Sequence, residues 1–471
     1  MTNTRASTHG TAPLPHPRFR LPILGDLASV DFAQPIQGLA REARRHHGIF
    51  EQRIGDFPVV VVDGPELIEE INNEELWEKN VGPTLHKLRS VAGDGLFTAY
   101  NTEDNWRKAH DILMPAFTKQ AMTNYHASIV DTVHELVTVW NSHAKNKSWV
   151  DVPFDLNRLT IEIISRSGFG YSFSSLADPR ENPFLSAVLR ELQYANRRTD
   201  SIPLYEQFLG GARRREHVAD KRAIRAQIDK IIDARRAESR TGQSPDILDI
   251  MLTSSDPLTG EKLDNNNIGN QILTFLVAGS ETSANAIAFA LHFLSTHPDI
   301  AAKARAEVDA SWPARAFPAF AFDQIAKLRY LRLVVDETLR LWPVAPGYFR
   351  QAKQDTTIGE GRYSFKEKDW VFVNLLAAQR HPSWGPDADQ FNPDRFLTEN
   401  RRKLPTHVHR PFGVGARACI GRQFAQHEIL IALAAILHQY ELTPRPGYKL
   451  KVSETLTLKP SALELGLTKR T

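Results

Sequence analysis

Residues 48–64, "GIFEQRIGDFPVVVVDG", are β-branched and aromatic on both sides of a Gly-Asp pair, which predicts a hairpin. From Glu66 onward the spacing turns helical and stays so for about three hundred residues. Within that span 127–144 ("ASIVDTVHELVTVWNSHA") repeats apolar residues at i, i+3, i+4 and i+7, the pattern of an amphipathic helix. Residues 215–240 predict another long helix with a charged outer face. The stretch 266–298, "NNIGNQILTFLVAGSETSANAIAFALHFLSTHP", is apolar nearly all round and so predicts a helix through the interior. Strand-like patterns return at 369–376, 448–460 and 462–470. The first hairpin and the late strands need partners, so the expectation is one intertwined, mainly α domain over 15–471. Its smaller β-rich part would come from both ends of the chain. Residues 1–14, polar with Pro and Gly, are expected to form a mobile tail.

Composition narrows this picture only a little. With 42% hydrophobic and 24% charged residues, the chain has ample core material, and a net charge of +3 is too small to point to nucleic acid. The N-terminal stretch has neither the apolar run of a signal peptide nor a membrane anchor, and a cytoplasmic location is expected. One cysteine, Cys419, excludes an intrachain disulfide and a multi-cysteine zinc site.

That cysteine sits in "PFGVGARACIG" (411–421). A metal-binding thiolate needs its charge stabilised by N–H groups and nearby cations. Gly413, Gly415 and Gly421 allow sharp turns or close approach to a flat ligand. Arg417 offers a fixed cation suited to a carboxylate, and Phe412 can shield the sulfur. The apolar-periodic stretch 422–440 predicts a helix whose N-terminus favours negative charge beside Cys419. A buried structural cysteine beside a glycine turn is the bland alternative. A second anomaly lies inside the interior helix. "AGSET" (278–282) places Glu281 and Thr282 where an apolar helix would not welcome them, and a Thr hydroxyl can bond back to a carbonyl and open the helix.

The string F-x-x-G-x-R-x-C-x-G resembles the heme-ligand loop of cytochrome P-450 monooxygenases. The resemblance implies that fold, mainly α with a smaller β-rich part, with heme between the long buried helix and the cysteine loop. It implies heme b (iron protoporphyrin IX) with Cys419 as axial thiolate ligand, and Phe412, Arg417 and Gly421 around it. "AGSET" looks like the family's acid–alcohol pair, which would make Glu281 and Thr282 the proton-handling residues. Glu337 and Arg340 in "ETLRLWP", with Arg395 in "FNPDRF", resemble the family's structural Glu–Arg–Arg network. Trp106 and His110 in "NWRKAH", and Arg350, resemble propionate contacts. By the same carry-over Leu85, Val91, Phe97, Ala278, Val344, Ala345 and Leu456 would line a substrate pocket, apolar throughout as a hydrophobic ligand requires.

The resemblance runs from "LPILGD" to "ETLTLKP" and is closest to bacterial fatty-acid hydroxylases whose heme domain is fused to a flavin reductase. Two departures matter. The chain ends about fifty residues after Cys419, too short a stretch for flavin domains, so a separate electron donor, or excision from a longer protein, is implied. Phe57 and Val61 stand where that group has a carboxylate-binding arginine and tyrosine, which puts fatty acids in doubt as substrates. Residues 401–427 carry six Arg or Lys and no Asp or Glu. Together with Arg107 and Lys108 they predict a basic face for an acidic ferredoxin or flavodoxin-type donor served by an NAD(P)H reductase. The expected reaction inserts one atom of O2 into a hydrophobic small molecule. A peroxide-driven peroxygenase and a catalytically silent heme-binding protein are the alternatives.

Overall fold

The computed structural model describes residues 12–177, 182–188, 190–191, 211–238, 244–404 and 407–471. The first eleven residues of the expected tail, and residues 239–240 of the helix expected over 215–240, lie outside these. The chain forms two compact units, each built from separated stretches. Unit one comprises 1–80, 340–391 and 397–419; unit two comprises 81–339, 392–396 and 420–471.

Unit one is organised on a five-stranded sheet in the order β1-β2-β5-β4-β3. Its strands are β1 (Ile49–Ile54), β2 (Phe57–Val62), β3 (Trp77–Asn80), β4 (Gly347–Ala352) and β5 (Trp370–Asn374). The expected hairpin is β1–β2, turning at Gly55 with φ of 60°. Strand β5 lies parallel to β2, and the other neighbours are antiparallel. The late strand expected to end at 376 stops at Asn374, whose side chain accepts from Ala377 N and starts a helical turn. Alternation along the sheet splits the core. Ile49, Val60, Val62, Trp77, Val371 and Val373 pack together, with Phe365 edge-on to Trp77. Phe50, Val61 and Phe372 pack in a separate cluster.

Unit two is mainly helical. Its principal helices are α1 (Asp104–Leu113), α2 (Lys119–Asn146), α3 (Val152–Phe169), α4 (Gly211–Ala237), α5 (Asn265–Thr296), α6 (Arg329–Leu341) and α7 (Arg422–Gln439). The last two residues of α6 belong to unit one. Helix α2 begins eight residues before the periodicity is evident, because Thr118 Oγ1 accepts from Ala121 N and caps it. It ends at Lys147, which adopts a left-handed φ of 54°. Asp264 caps α5, and Pro298 starts the next helix two residues after α5 ends. By length and composition α5 could cross a membrane, but 78% of its apolar window is buried, as in a core helix.

The stretch expected as one strand over 448–460 is a hairpin, β7 (Lys451–Glu454) and β8 (Leu458–Ser461), turning where Thr455 N donates to Thr457 O. Strand β9 (Glu464–Lys469) pairs with β6 (Tyr440–Pro444) and with the short strand Val150–Asp151. The strands of 440–470 therefore find their partners within unit two; of the late strands only β5 joins the first hairpin.

Candidate functional site

In unit one the cysteine loop is shaped by two left-handed glycines, Gly413 at φ 72° and Gly415 at φ 67°. Cys419 N donates to Phe412 O at 2.8 Å and closes the loop, leaving the Cys419 side chain exposed. Gly421, expected to share this conformational role, has an ordinary φ of −82° as the N-cap of α7. Ala416 N donates to Glu74 Oε1 at 3.0 Å, and a Cβ on Gly415 would collide with that carboxylate. Glu74 thus braces the loop, a role that sequence patterning did not suggest.

Three cations gather near this loop. Arg350 on β4 is 3% exposed and donates to Ile71 O (3.2 Å) and Trp77 O (2.9 Å). It pairs with no carboxylate among the described residues, and burial pushes its pKa down. Lys79 on β3 stands directly opposite Arg350 in the antiparallel register. Burial, reinforced by the charge of Arg417, pushes the Lys79 ammonium down to about 7. Like charges facing each other across a sheet repel, so this arrangement suits an anionic ligand with more than one carboxylate. The heme propionates implied by the resemblance supply that chemistry, and a thiolate loop beside the cations suits the iron. Lys79 was missed from the sequence, because a single lysine in "WEKN" looks like any solvated strand residue.

In unit two the expected acid–alcohol segment interrupts a buried helix. Helix α5 is buried from 271 to 277 and from 283 to 294, whereas Ala278, Gly279, Ser280, Glu281 and Thr282 are all half-buried. Side chains intrude on its carbonyl ladder. Thr282 Oγ1 donates to Ala278 O and Ser280 Oγ to Leu276 O, each at 2.6 Å, while Thr160 Oγ1 of α3 donates to Ser280 O at 2.9 Å. Glu281 is restrained from the β7–β8 hairpin, with Thr455 Oγ1 at 3.4 Å and Lys459 Nζ at 3.8 Å from Oε1.

Of the expected pocket residues in unit two, Leu85, Val91, Ala278 and Leu456 are half-buried and Phe97 is 37% exposed. None is consumed in a close-packed core. In unit one Val344 is buried and Ala345 exposed. Trp106 and His110 stack on one face of α1 with ring centroids 5.0 Å apart. Of the residues expected to form a structural network, Glu337 and Arg395 lie in unit two and Arg340 in unit one. Glu337, fully buried, accepts from Asn392 N at 2.9 Å and lies 3.5 Å from Arg395. Arg340 donates to Gln379 O, Ala388 O and Gln390 O, and lies over Trp384.

The basic face expected for an electron donor needs correction. Arg107 is paired with Asp256 and Asp111, and Lys108 with Glu261, so both charges are neutralised locally. Arg401, Arg402 and Lys403 are exposed and make no ion pair among the described residues. At the hairpin, Phe57 is 48% exposed and Val61 is buried within the sheet core. Arg53, the other cation there, is engaged by Glu51 at 2.8 Å.

The family description Cytochrome P450 matches residues 15–466, and the chain belongs to the cytochrome P450 family. It is 38% identical over 461 residues to the bifunctional cytochrome P450/NADPH–P450 reductase 1 of Bacillus subtilis, covering 98% of this chain and 42% of that protein. A bifunctional cytochrome P450/NADPH–P450 reductase of Bacillus cereus is likewise 38% identical, covering 97% of this chain and 42% of that protein. The chain thus spans less than half the length of these relatives. Among solved structures, a cytochrome P450 designated CYP102L1 is 74% identical with a TM-score of 0.93, over 97% of this chain and 99% of that one. The heme domain of cytochrome P450DA is 36% identical with a TM-score of 0.90, over 98% of both chains.

Proposed function

We propose that residues 15–471 act as one heme-binding domain of a monooxygenase that oxidises a hydrophobic small molecule with O2. The observation that carries the reading is the pairing of a single exposed cysteine, on a glycine-shaped loop, with the Lys79–Arg350–Arg417 cation cluster. Heme b, when bound through the Cys419 thiolate, supplies the reductive activation of O2 by which one oxygen atom enters substrate and the other leaves as water. In unit one, Arg350, Arg417 and Lys79 would hold the propionates; Trp106 and His110 of unit two are assigned to the propionates by the family resemblance alone. Phe412 shields the sulfur. Glu281 and Thr282 order a proton path at the half-buried turn of α5, with the Thr282 hydroxyl as the group that holds the proton.

Leu85, Val91, Phe97, Ala278, Val344, Ala345 and Leu456 favour an apolar substrate. With Val61 buried, Phe57 uncharged and Arg53 held by Glu51, the hairpin offers no ready anchor for a fatty-acid carboxylate. The electron donor is proposed to be acidic, drawn to Arg401, Arg402 and Lys403. A separate ferredoxin or flavodoxin-type protein would meet that charge. The names of the relatives pair a P450 with an NADPH–P450 reductase, which favours a flavin-bearing donor.

The reduced carbon monoxide difference spectrum, followed by turnover with an NADPH-dependent reductase, tests the reading. A thiolate-type Soret band with reductase-dependent product is expected. A thiolate band with turnover on peroxide alone identifies a peroxygenase; the band without turnover by either route identifies a silent heme protein.

A further inference from the structure

Helix α7 carries a carboxylate that the proposed mechanism does not use. Glu428 is 1% exposed, and neither of its carboxyl oxygens completes a hydrogen bond among the described residues. The one side chain that acts on it is the Ser283 hydroxyl of α5, and the two do not form a hydrogen bond in this structure. Ser283 is 2% exposed and its own hydroxyl has no partner among the described residues. It differs in this from Ser280 and Thr282, whose hydroxyls are spent on carbonyls of the same helix. Ser283 directly follows Thr282, so whatever fixes Ser283 also fixes the turn bearing the Thr282 hydroxyl.

Helix α7 packs against α5, α2 and the helix Pro298–Ser311, and no charge from them acts on Glu428. On α2, His126 is engaged by His427 of α7. On α5, Glu281 is held by Thr455 and Lys459, and His292 lies beyond the segment. Arg332 of α6 acts on His427 instead. An ionised carboxylate without a countercharge is far more costly to bury than a neutral acid. Burial accordingly pushes Glu428 up to about 8.

We propose that Glu428, as a neutral carboxylic acid, hydrogen-bonds to Ser283 and acts as a positioning residue for the proton-handling turn at Glu281–Thr282. The two form a second acid–alcohol pair, joining α7 to α5 from inside unit two. The acid proton is held between Glu428 and the Ser283 oxygen and is not consumed in the reaction. The inference rests on the monooxygenase reading for its catalytic consequence and on burial without a countercharge for the state of the acid.

The tests use Glu428→Gln, which keeps the shape and a donor, Glu428→Leu, which removes both, and Ser283→Ala. In the apoprotein, infrared spectroscopy at neutral pH is expected to show a protonated-carboxyl carbonyl band that Glu428→Gln lacks. A folded-state pKa above the unfolded one makes wild-type stability fall as pH rises from about 4.5 toward about 8. Glu428→Gln removes that fall. In the holoenzyme, product per NADPH consumed is expected to drop about fivefold in Glu428→Leu and in Ser283→Ala, as for a buried hydrogen bond. It should fall above pH 8 in wild type but not in Glu428→Gln. An unchanged infrared band and pH slope in Glu428→Gln would overturn the proposal, even if Glu428→Leu fails to fold. Should wild type lack the thiolate-type Soret band, the monooxygenase reading fails by itself, while the infrared and stability results still decide the state of Glu428.

Discussion

Replacing Lys79 with methionine separates the cost of the cation cluster from its use. In the ligand-free protein, the drop of the Lys79 ammonium from 10.5 to about 7 corresponds to about 5 kcal/mol against its charged form. Partial exposure of the residue makes this a ceiling. Because the folded value lies below the unfolded one, the unfolded chain binds the proton more tightly between these limits. Apoprotein stability therefore rises with pH from about 7 to about 10.5. Lys79→Met removes this slope and stabilises the apoprotein most below pH 7.

Binding a dicarboxylate beside Lys79 reverses the balance, since the new anions favour the charged ammonium. Hemin binding should then draw in about half a proton at pH 7 and nearly one at pH 8.5. Deprotonation of Cys419 on ligation releases a proton and masks part of this uptake. The informative quantity is therefore the difference between wild type and Lys79→Met, read with a pH indicator in weakly buffered apoprotein during hemin titration. Equal proton uptake by the two proteins at both pH values would refute the assignment of Lys79 to the propionates. So would a stability slope that survives the substitution.

Three further outcomes are expected. Cys419→Ser should abolish the thiolate-type Soret band of the reduced carbon monoxide complex, and a retained band would show that the iron ligand is another residue. Thr282→Ala should keep its heme content but form less product per NADPH consumed, by about tenfold or more on the usual scale of general acid–base contributions; a wild-type ratio counts against the proton role. Charge reversal at Arg401, Arg402 and Lys403 together should slow reduction by the donor at low salt without changing the heme spectrum. Identical reduction rates across a salt series, in wild type and variant alike, would remove this stretch from the docking face.

What could be read in the sequence was what depends on residues close together along the chain. The Cys419 loop carries its glycines, arginine and phenylalanine within eleven residues, and "AGSET" is conspicuous because Glu281 and Thr282 break an apolar helix. The helix at 127–144 is evident from its periodicity and that at 266–298 from being apolar nearly all round. Lys79 and Arg350 are 271 positions apart in the chain and meet only through the β3–β4 register. Neither strand's own pattern distinguishes a ligand-facing cation from a solvated one. The same limit misplaced Arg107 and Lys108, whose neutralising partners Asp256 and Glu261 lie about 150 positions away. Glu428 escapes notice for another reason. In "RQFAQHEILIALAAILHQ" it precedes the continuous apolar run and reads as part of a helix's polar face. Only packing puts it inside, next to a serine with nothing else to bond. Long-range pairing thus decides which polar residues are buried. Buried polar groups without partners are where this chain departs from helix and strand patterning, and there a physical reading adds most to the family resemblance.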